Sequence, residues 1–110
     1  MDTIYNKLVR DNVPEIIGSH GKIPVVRVLD DNDYVAALGE KLQEEVAEYI
    51  ADNSIEELCD ILEVVYAIAE AKGHSSSGMD IIRMNKNMKS GAFKKKLFLE
   101  KVISEDTKNP

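Results

Sequence analysis

Four acidic residues flank a short polar turn at matching distances. Glu45 and Glu48 form an E-x-x-E pair on one side, and Glu57 and Asp60 form an E-x-x-D pair on the other. Asp52, Asn53 and Ser54 lie between the pairs and read as a turn. If the flanks are helices folded back at this turn, Glu45 comes level with Asp60 and Glu48 level with Glu57. Residues three apart share a helix face, and packed helices lie roughly 8–10 Å apart. Four carboxyl groups then converge on one small volume. Like charges held that close repel and raise one another's pKa values. A divalent cation relieves the repulsion, and an all-oxygen ligand set suits Mg2+ or Mn2+. The stretch from Glu40 to Glu63 carries nine carboxylates against one lysine, Lys41, so acidity is concentrated where that chemistry needs it.

Each acid also has a plainer role. Ser54-x-x-Glu57 is a capping-box pattern, in which the glutamate only holds a helix start. Asn53-x-x-Glu56 offers the same box one residue earlier and would free Glu57. One E-x-x-E pair is common on a solvated helix face, whereas two mirrored pairs across a short turn are a more specific pattern. Glu63 extends the Glu57–Asp60 face by one step. Glu44 precedes Glu48 by four residues, where two anions weaken a helix unless compensated. Both read as supporting or surface acids.

The elements that must position these groups are mainly helical. Leu38, Leu42, Val46 and Tyr49 recur at helical spacing, which predicts a helix from a cap at Asn32 or Asp33 to about Ala51. Glu45 lies on or beside that apolar face, where an ionised carboxylate needs a partner. A second helix starts at Asn53 or Ser54, with an apolar stripe of Leu58, Ile61, Leu62, Val65, Ile68 and Ala69. It ends near Lys72 at the terminator Gly73. A third runs from Met79 to about Lys89 and breaks at Gly91. Pro14 opens a short helical turn that reaches Gly18. Residues 25–29, Val-Val-Arg-Val-Leu, read as a strand, and a second short strand is expected around 97–100. The tail from Ser104 to Pro110 is polar and reads as frayed.

A chain of 110 residues suffices for one domain, and a hydrophobic fraction of 44% argues against disorder. The formal charge of -6 argues against nonspecific nucleic-acid binding. Charge is segregated, however. Arg83, Lys86, Lys89, Lys94, Lys95, Lys96 and Lys101 face only Glu100 within residues 83–101. A basic segment beside an acidic metal site suits a metal-bound polyphosphate; by itself it reads equally as a solvated surface. One cysteine, Cys59, excludes an internal disulfide and reads as a small core residue. No apolar run approaches a membrane span, and the opening residues lack the apolar core of a signal peptide, so the chain reads as cytosolic.

The acidic strings Leu42-Gln-Glu-Glu-Val-Ala-Glu48 and Glu56-Glu-Leu-Cys-Asp-Ile-Leu62 resemble the E-x-x-E…E-x-x-D signature of MazG-type nucleoside triphosphate pyrophosphohydrolases. These are all-α enzymes related to phosphoribosyl-ATP pyrophosphohydrolase and the dimeric dUTPases. The opening Tyr5-Asn-Lys-Leu-Val-Arg-Asp-Asn-Val-Pro14 is similar to the Y-x-K-L-V-R-D-x-I-P start of a small subgroup described as predicted house-cleaning pyrophosphatases. Gly91-Ala-Phe93 with Lys95 and Lys96 matches that subgroup's G-G-F-x-K-R segment, so the resemblance covers nearly the whole chain. Ser90 stands where the subgroup has arginine, and Ala92 where it has a second glycine.

The resemblance implies a single MazG-like domain over residues 1–110, a helical bundle built on the antiparallel hairpin with one or two short strands. It implies metal-assisted hydrolysis in which Glu45, Glu48, Glu57 and Asp60 hold Mg2+, with Mn2+ as the alternative. Water attacks the α-phosphorus of a nucleoside triphosphate, leaving a monophosphate and pyrophosphate. One carboxylate, or a metal-bound hydroxide, activates the water. Lys7, Arg10, Lys86, Phe93 and Lys95 are the candidate substrate contacts. Arg10 reads equally as a partner of Asp11, and Phe93 as a core aromatic. Two long apolar stripes in one small chain further predict a homodimer or homotetramer. Two other readings stand beside this one. A phosphoribosyl-ATP pyrophosphohydrolase shares the acidic motif but fits the Lys7-to-Pro14 opening poorly. A non-enzymatic acidic hairpin could serve partner binding or oligomerisation.

Overall fold

A pair of antiparallel helices joined by a two-residue turn carries the acidic segment. The computed structural model describes residues 1–104; the predicted polar tail falls almost wholly outside them. There are four helices among the described residues: α1 (Val13–Ser19), α2 (Asp31–Asp52), α3 (Ile55–Ala71) and α4 (Ser76–Ser90). The chain divides into two compact units, Met1–Met79 and Asp80–Pro110, and the division falls within α4.

In the first unit, α1 has Pro14 in its first turn, where a missing N–H costs nothing. The α2 helix is capped by Asp30, whose Oδ1 accepts a hydrogen bond from Asp33 N at 2.8 Å. This start lies earlier than the predicted cap at Asn32 or Asp33. Asp31 and Asp33 sit in the first turn, where negative charge complements the helix dipole. At the other end Asn53 adopts a left-handed conformation, φ +55°, and donates its N–H to Tyr49 O at 2.7 Å. Ser54 follows in an extended conformation and caps α3, its Oγ accepting from Glu57 N at 3.3 Å. Two residues thus end one helix and begin the next, as the Asp52-Asn53-Ser54 pattern predicts. The α3 helix ends at Gly73, φ +87°, where Gly73 N bonds to Glu70 O and His74 N to Ala69 O. That pair of bonds is the Schellman closure that a left-handed glycine permits.

Helices α2 and α3 pack against each other. The buried positions on α2 are Leu38 and Glu45, and those on α3 are Val64 and Ala69. Tyr34, Lys41, Leu42 and Tyr49 are half-buried around the first set, and Glu57, Asp60, Ile61 and Ile68 around the second. The α3 contact face is therefore turned relative to the predicted stripe, towards Glu57, Ile61, Val64 and Ile68. Leu58 and Leu62 are left 40% and 46% exposed. Cys59 is exposed rather than in the core. It lies two residues from Glu57 and five from Val64, which places it on the opposite side of a 3.6-residue helix.

In the second unit, α4 continues through Ser90 and ends at Gly91, φ +84°, whose N–H bonds to Asn87 O at 2.8 Å. Arg83 pairs with Asp80 at 3.2 Å, one turn apart on the helix. The helix begins three residues before the predicted Met79, because Ser75 Oγ accepts from Gly78 N at 3.0 Å and closes an earlier start. No strand occurs among the described residues. The predicted strands at 25–29 and 97–100 have no regular structure. A strand exists only where its N–H and C=O groups find a ladder partner, and the described residues supply none. Val25 and Val28 are almost fully exposed.

Candidate metal centre

The hairpin brings Glu45, Glu57 and Asp60 together. Each presents a carboxylate oxygen, and these oxygens lie within 4.8 Å of one another. Glu45 comes from the buried face of α2, and its residue is only 6% exposed. Glu57 and Asp60 come from the facing side of α3 and are half-buried. Glu45 Oε2 and Glu57 Oε2 are both shielded from solvent and have no hydrogen-bond partner. Two buried, unsatisfied carboxylate oxygens cost free energy unless a cation or proton meets them. That orphaned pair is the observation that separates this cluster from an ordinary acidic surface. Three oxygen donors from two rigid helices fit a hard divalent cation, with substrate or water completing its shell.

The capping role anticipated for Glu57 is realised only through its backbone. Ser54 Oγ receives Glu57 N, while the Glu57 carboxyl carries the orphan oxygen. A residue can cap with its N–H and still direct its side chain across the hairpin. Glu48, the fourth mirrored acid, is exposed and stands outside the three-oxygen cluster. Three residues beyond Glu45 on a 3.6-residue helix, it is rotated to the edge of the interface. It remains near enough to Glu57 for its charge to disfavour the ionised Glu57 carboxylate.

The electrostatics follow from this crowding. Burial pushes the Glu45 carboxyl above its ordinary pKa; Lys41 opposes the shift, and Glu48 and Asp60 reinforce it. Desolvation raises Glu57 as well, followed by the neighbouring Glu48 carboxyl and then the charges of Asp60 and Asp52. Glu44 moves the other way. Its hydrogen bond from Lys7 holds it below the usual range, with further help from Lys41. Lys7 is raised in turn, chiefly by that same hydrogen bond.

Four cation–acid contacts surround the cluster. Arg10 Nη2 lies 2.7 Å from Asp60 Oδ1. Lys7 Nζ lies 3.0 Å from Glu44 Oε1. Lys41 Nζ reaches both Glu44 Oε2 at 3.4 Å and Glu45 Oε1 at 3.3 Å. Arg10 therefore partners Asp60, not Asp11. Glu44, four residues before Glu48, has its compensation in two lysines. Sequence reasoning assigned Lys41 no role, although its position four residues before Glu45 is the spacing at which side chains meet on a helix. Glu63 and His74 are exposed.

The other candidate substrate contacts, Lys86, Phe93 and Lys95, belong to the second unit and are exposed there. Phe93 is 97% exposed, which excludes the core role considered for it. In the first unit a separate open cleft of about 370 Å3 is lined by Leu8, Asp11, Arg27, Leu29, Asp31 and Tyr34 among others, and includes none of the clustered acids. Among the described residues no helix is long and apolar enough to cross a membrane.

No protein-family model matches the chain. No solved structure matches it either. An uncharacterized protein of Mycolicibacterium smegmatis (strain ATCC 700084 / mc(2)155) is 57% identical over 42 residues, which cover 38% of this chain and 43% of that protein. The match thus spans less than half the length of the curated relative.

Proposed function

We propose that the chain is a Mg2+-dependent nucleoside triphosphate pyrophosphohydrolase, releasing a nucleoside monophosphate and pyrophosphate. The observation that carries this reading is the convergence of Glu45, Glu57 and Asp60 with two orphaned, shielded carboxylate oxygens. Supporting it is the resemblance of the acidic strings and of the Tyr5–Pro14 opening to MazG-like enzymes, whose helical bundle the α2–α3 hairpin would anchor. A cytosolic location accords with the substrate.

Glu45, Glu57 and Asp60 are the residues that would hold Mg2+, with Mn2+ as the substitute. A bound divalent ion supplies neutralisation of the charge that develops on the phosphates during transfer. Glu48, exposed beside Glu57, would take the proton of an attacking water. Lys7 and Arg10 bring positive charge to the rim of the same acids and are the phosphate contacts within reach of them. The exposed apolar residues of the hairpin, Val46, Ile50, Ile55, Leu58 and Leu62, would be covered in a homodimer or homotetramer.

The test is a panel of standard and modified nucleoside triphosphates, with and without Mg2+, scored by product. Pyrophosphate and monophosphate are expected for at least one member, with loss of turnover in Glu57→Gln. Turnover of phosphoribosyl-ATP alone would move the assignment to that pyrophosphohydrolase. The exposed hairpin face favours one further reading, an acidic oligomerisation module. A folded protein that binds no metal and turns over none of the panel would favour that reading instead.

A further inference from the structure

We infer that Arg10 exchanges between Asp60 and the phosphate chain of the substrate, so that it couples metal binding to polyphosphate binding. The inference rests on the proposed metal-dependent reading and deepens it. Arg10 Nη2 sits 2.7 Å from Asp60 Oδ1, across 50 residues of sequence. Asp60 is one of the three acids whose oxygens lie within 4.8 Å of one another. The cluster is more than a group of surface acids, since Glu45 is 6% exposed and its shielded Oε2 lacks a partner.

A guanidinium and a divalent cation on one carboxylate are like charges only a few ångströms apart, and they weaken each other's binding. The side chains of Arg10 and Asp60 are 58% and 38% exposed, so the pair is weakly held and Arg10 can leave without burying a charge elsewhere. A phosphate chain carried on the metal then offers Arg10 more negative charge and further oxygens for a two-pronged contact, where Asp60 meets it through one oxygen. Arg10 thereby penalises metal alone and rewards metal with polyphosphate. By reciprocity, each ligand raises the affinity for the other through this one side chain. Lys7 serves as the contrast. It pairs with Glu44, outside the three-oxygen cluster.

The experiment is a titration of the full chain with Mn2+ alone, read by electron paramagnetic resonance. It compares wild type with Arg10→Met, Arg10→Lys and Lys7→Met. Arg10→Met is expected to bind Mn2+ about three- to tenfold more tightly than wild type. Arg10→Lys, which keeps the cation, stays near wild type. Lys7→Met gains less than Arg10→Met. In parallel, trypsin cleavage after Arg10 is expected to speed up when Mn2+ is added to wild type, as the side chain leaves Asp60. Arg10→Met binding Mn2+ no more tightly than wild type, while all variants melt cooperatively, would overturn the exchange and leave the metal site standing. Absence of Mn2+ binding in wild type and every variant would remove the metal reading itself, and the exchange with it.

Discussion

Replacing Glu45 by glutamine keeps the shape of a buried side chain and removes its charge. Two contacts set the effect on the metal-free protein. Lys41 Nζ lies 3.3 Å from Glu45 Oε1, an attraction of about 5 kcal/mol at an effective dielectric of about 20. The Asp60 carboxyl lies within 4.8 Å, a repulsion of at least about 3.5 kcal/mol on the same scale, and the Glu57 carboxyl, within the same distance, adds to it when ionised. Burial of the carboxylate and the neighbouring Glu48 charge oppose what remains of the attraction. The amide should therefore leave metal-free stability unchanged or raise it by about 1 kcal/mol. The metal-loaded protein behaves differently. At Mg2+ about tenfold above Kd, mass action stabilises the wild type by about 1.4 kcal/mol. For a domain of roughly this size that raises Tm by about 6–11 °C. Glu45→Gln should lose most of that increment. The assay is thermal unfolding of both proteins at one fixed protein concentration, with Mg2+ or with chelator. A Glu45→Gln protein that keeps the full Mg2+ shift would refute the reasoning, because the most buried acid of the cluster would then not be a ligand.

Three further outcomes follow from the same geometry. Because the folded pKa values of Glu45 and Glu57 are raised, the folded state binds more protons than the unfolded one just above the ordinary glutamate range. Metal-free stability from these two groups should rise as pH falls through that window, and saturating Mg2+ should reverse the slope, as urea unfolding at several pH values will read. The lowered pKa of Glu44 acts at more acid pH, where the stability it contributes is lost as pH falls through its folded value. Ser54→Ala removes the cap on α3 and should cost about 1 kcal/mol, a drop in Tm of about 4–8 °C by calorimetry. Light scattering should give a mass at least twice the 12.3 kDa chain, falling on Leu62→Glu; a wild-type monomer would contradict the proposed assembly.

The hairpin was legible because its signals are local. The Asp52-Asn53-Ser54 turn, the flanking apolar spacing and the mirrored acids all lie within one stretch of about two helices. Helix starts were blurred where several capping residues adjoin, as in Asp30-Asp-Asn-Asp33 and Ser75-Ser-Ser77, since any of them can accept the first N–H groups. The strand reading of 25–29 failed differently: β-branched composition states a preference, and only a partner realises it. Periodicity found the apolar residues of α3 but not which side meets α2, so Leu58 and Leu62 were placed inward and Cys59 in the core. The pairings Lys7–Glu44 and Arg10–Asp60 join residues 37 and 50 apart, and no local pattern encodes them. The centrality of Glu45 and the marginality of Glu48 likewise depend on rotation about the α2 axis, which spacing alone leaves open.

Where the water enters tests the central proposal most directly. A nucleoside triphosphate from the active part of the panel is hydrolysed with Mg2+ in heavy-oxygen water, and the products are separated and weighed. The account predicts one heavy oxygen in the nucleoside monophosphate and none in the pyrophosphate, the signature of attack at the α-phosphorus. Heavy oxygen in pyrophosphate, or orthophosphate as the first labelled product, would contradict it.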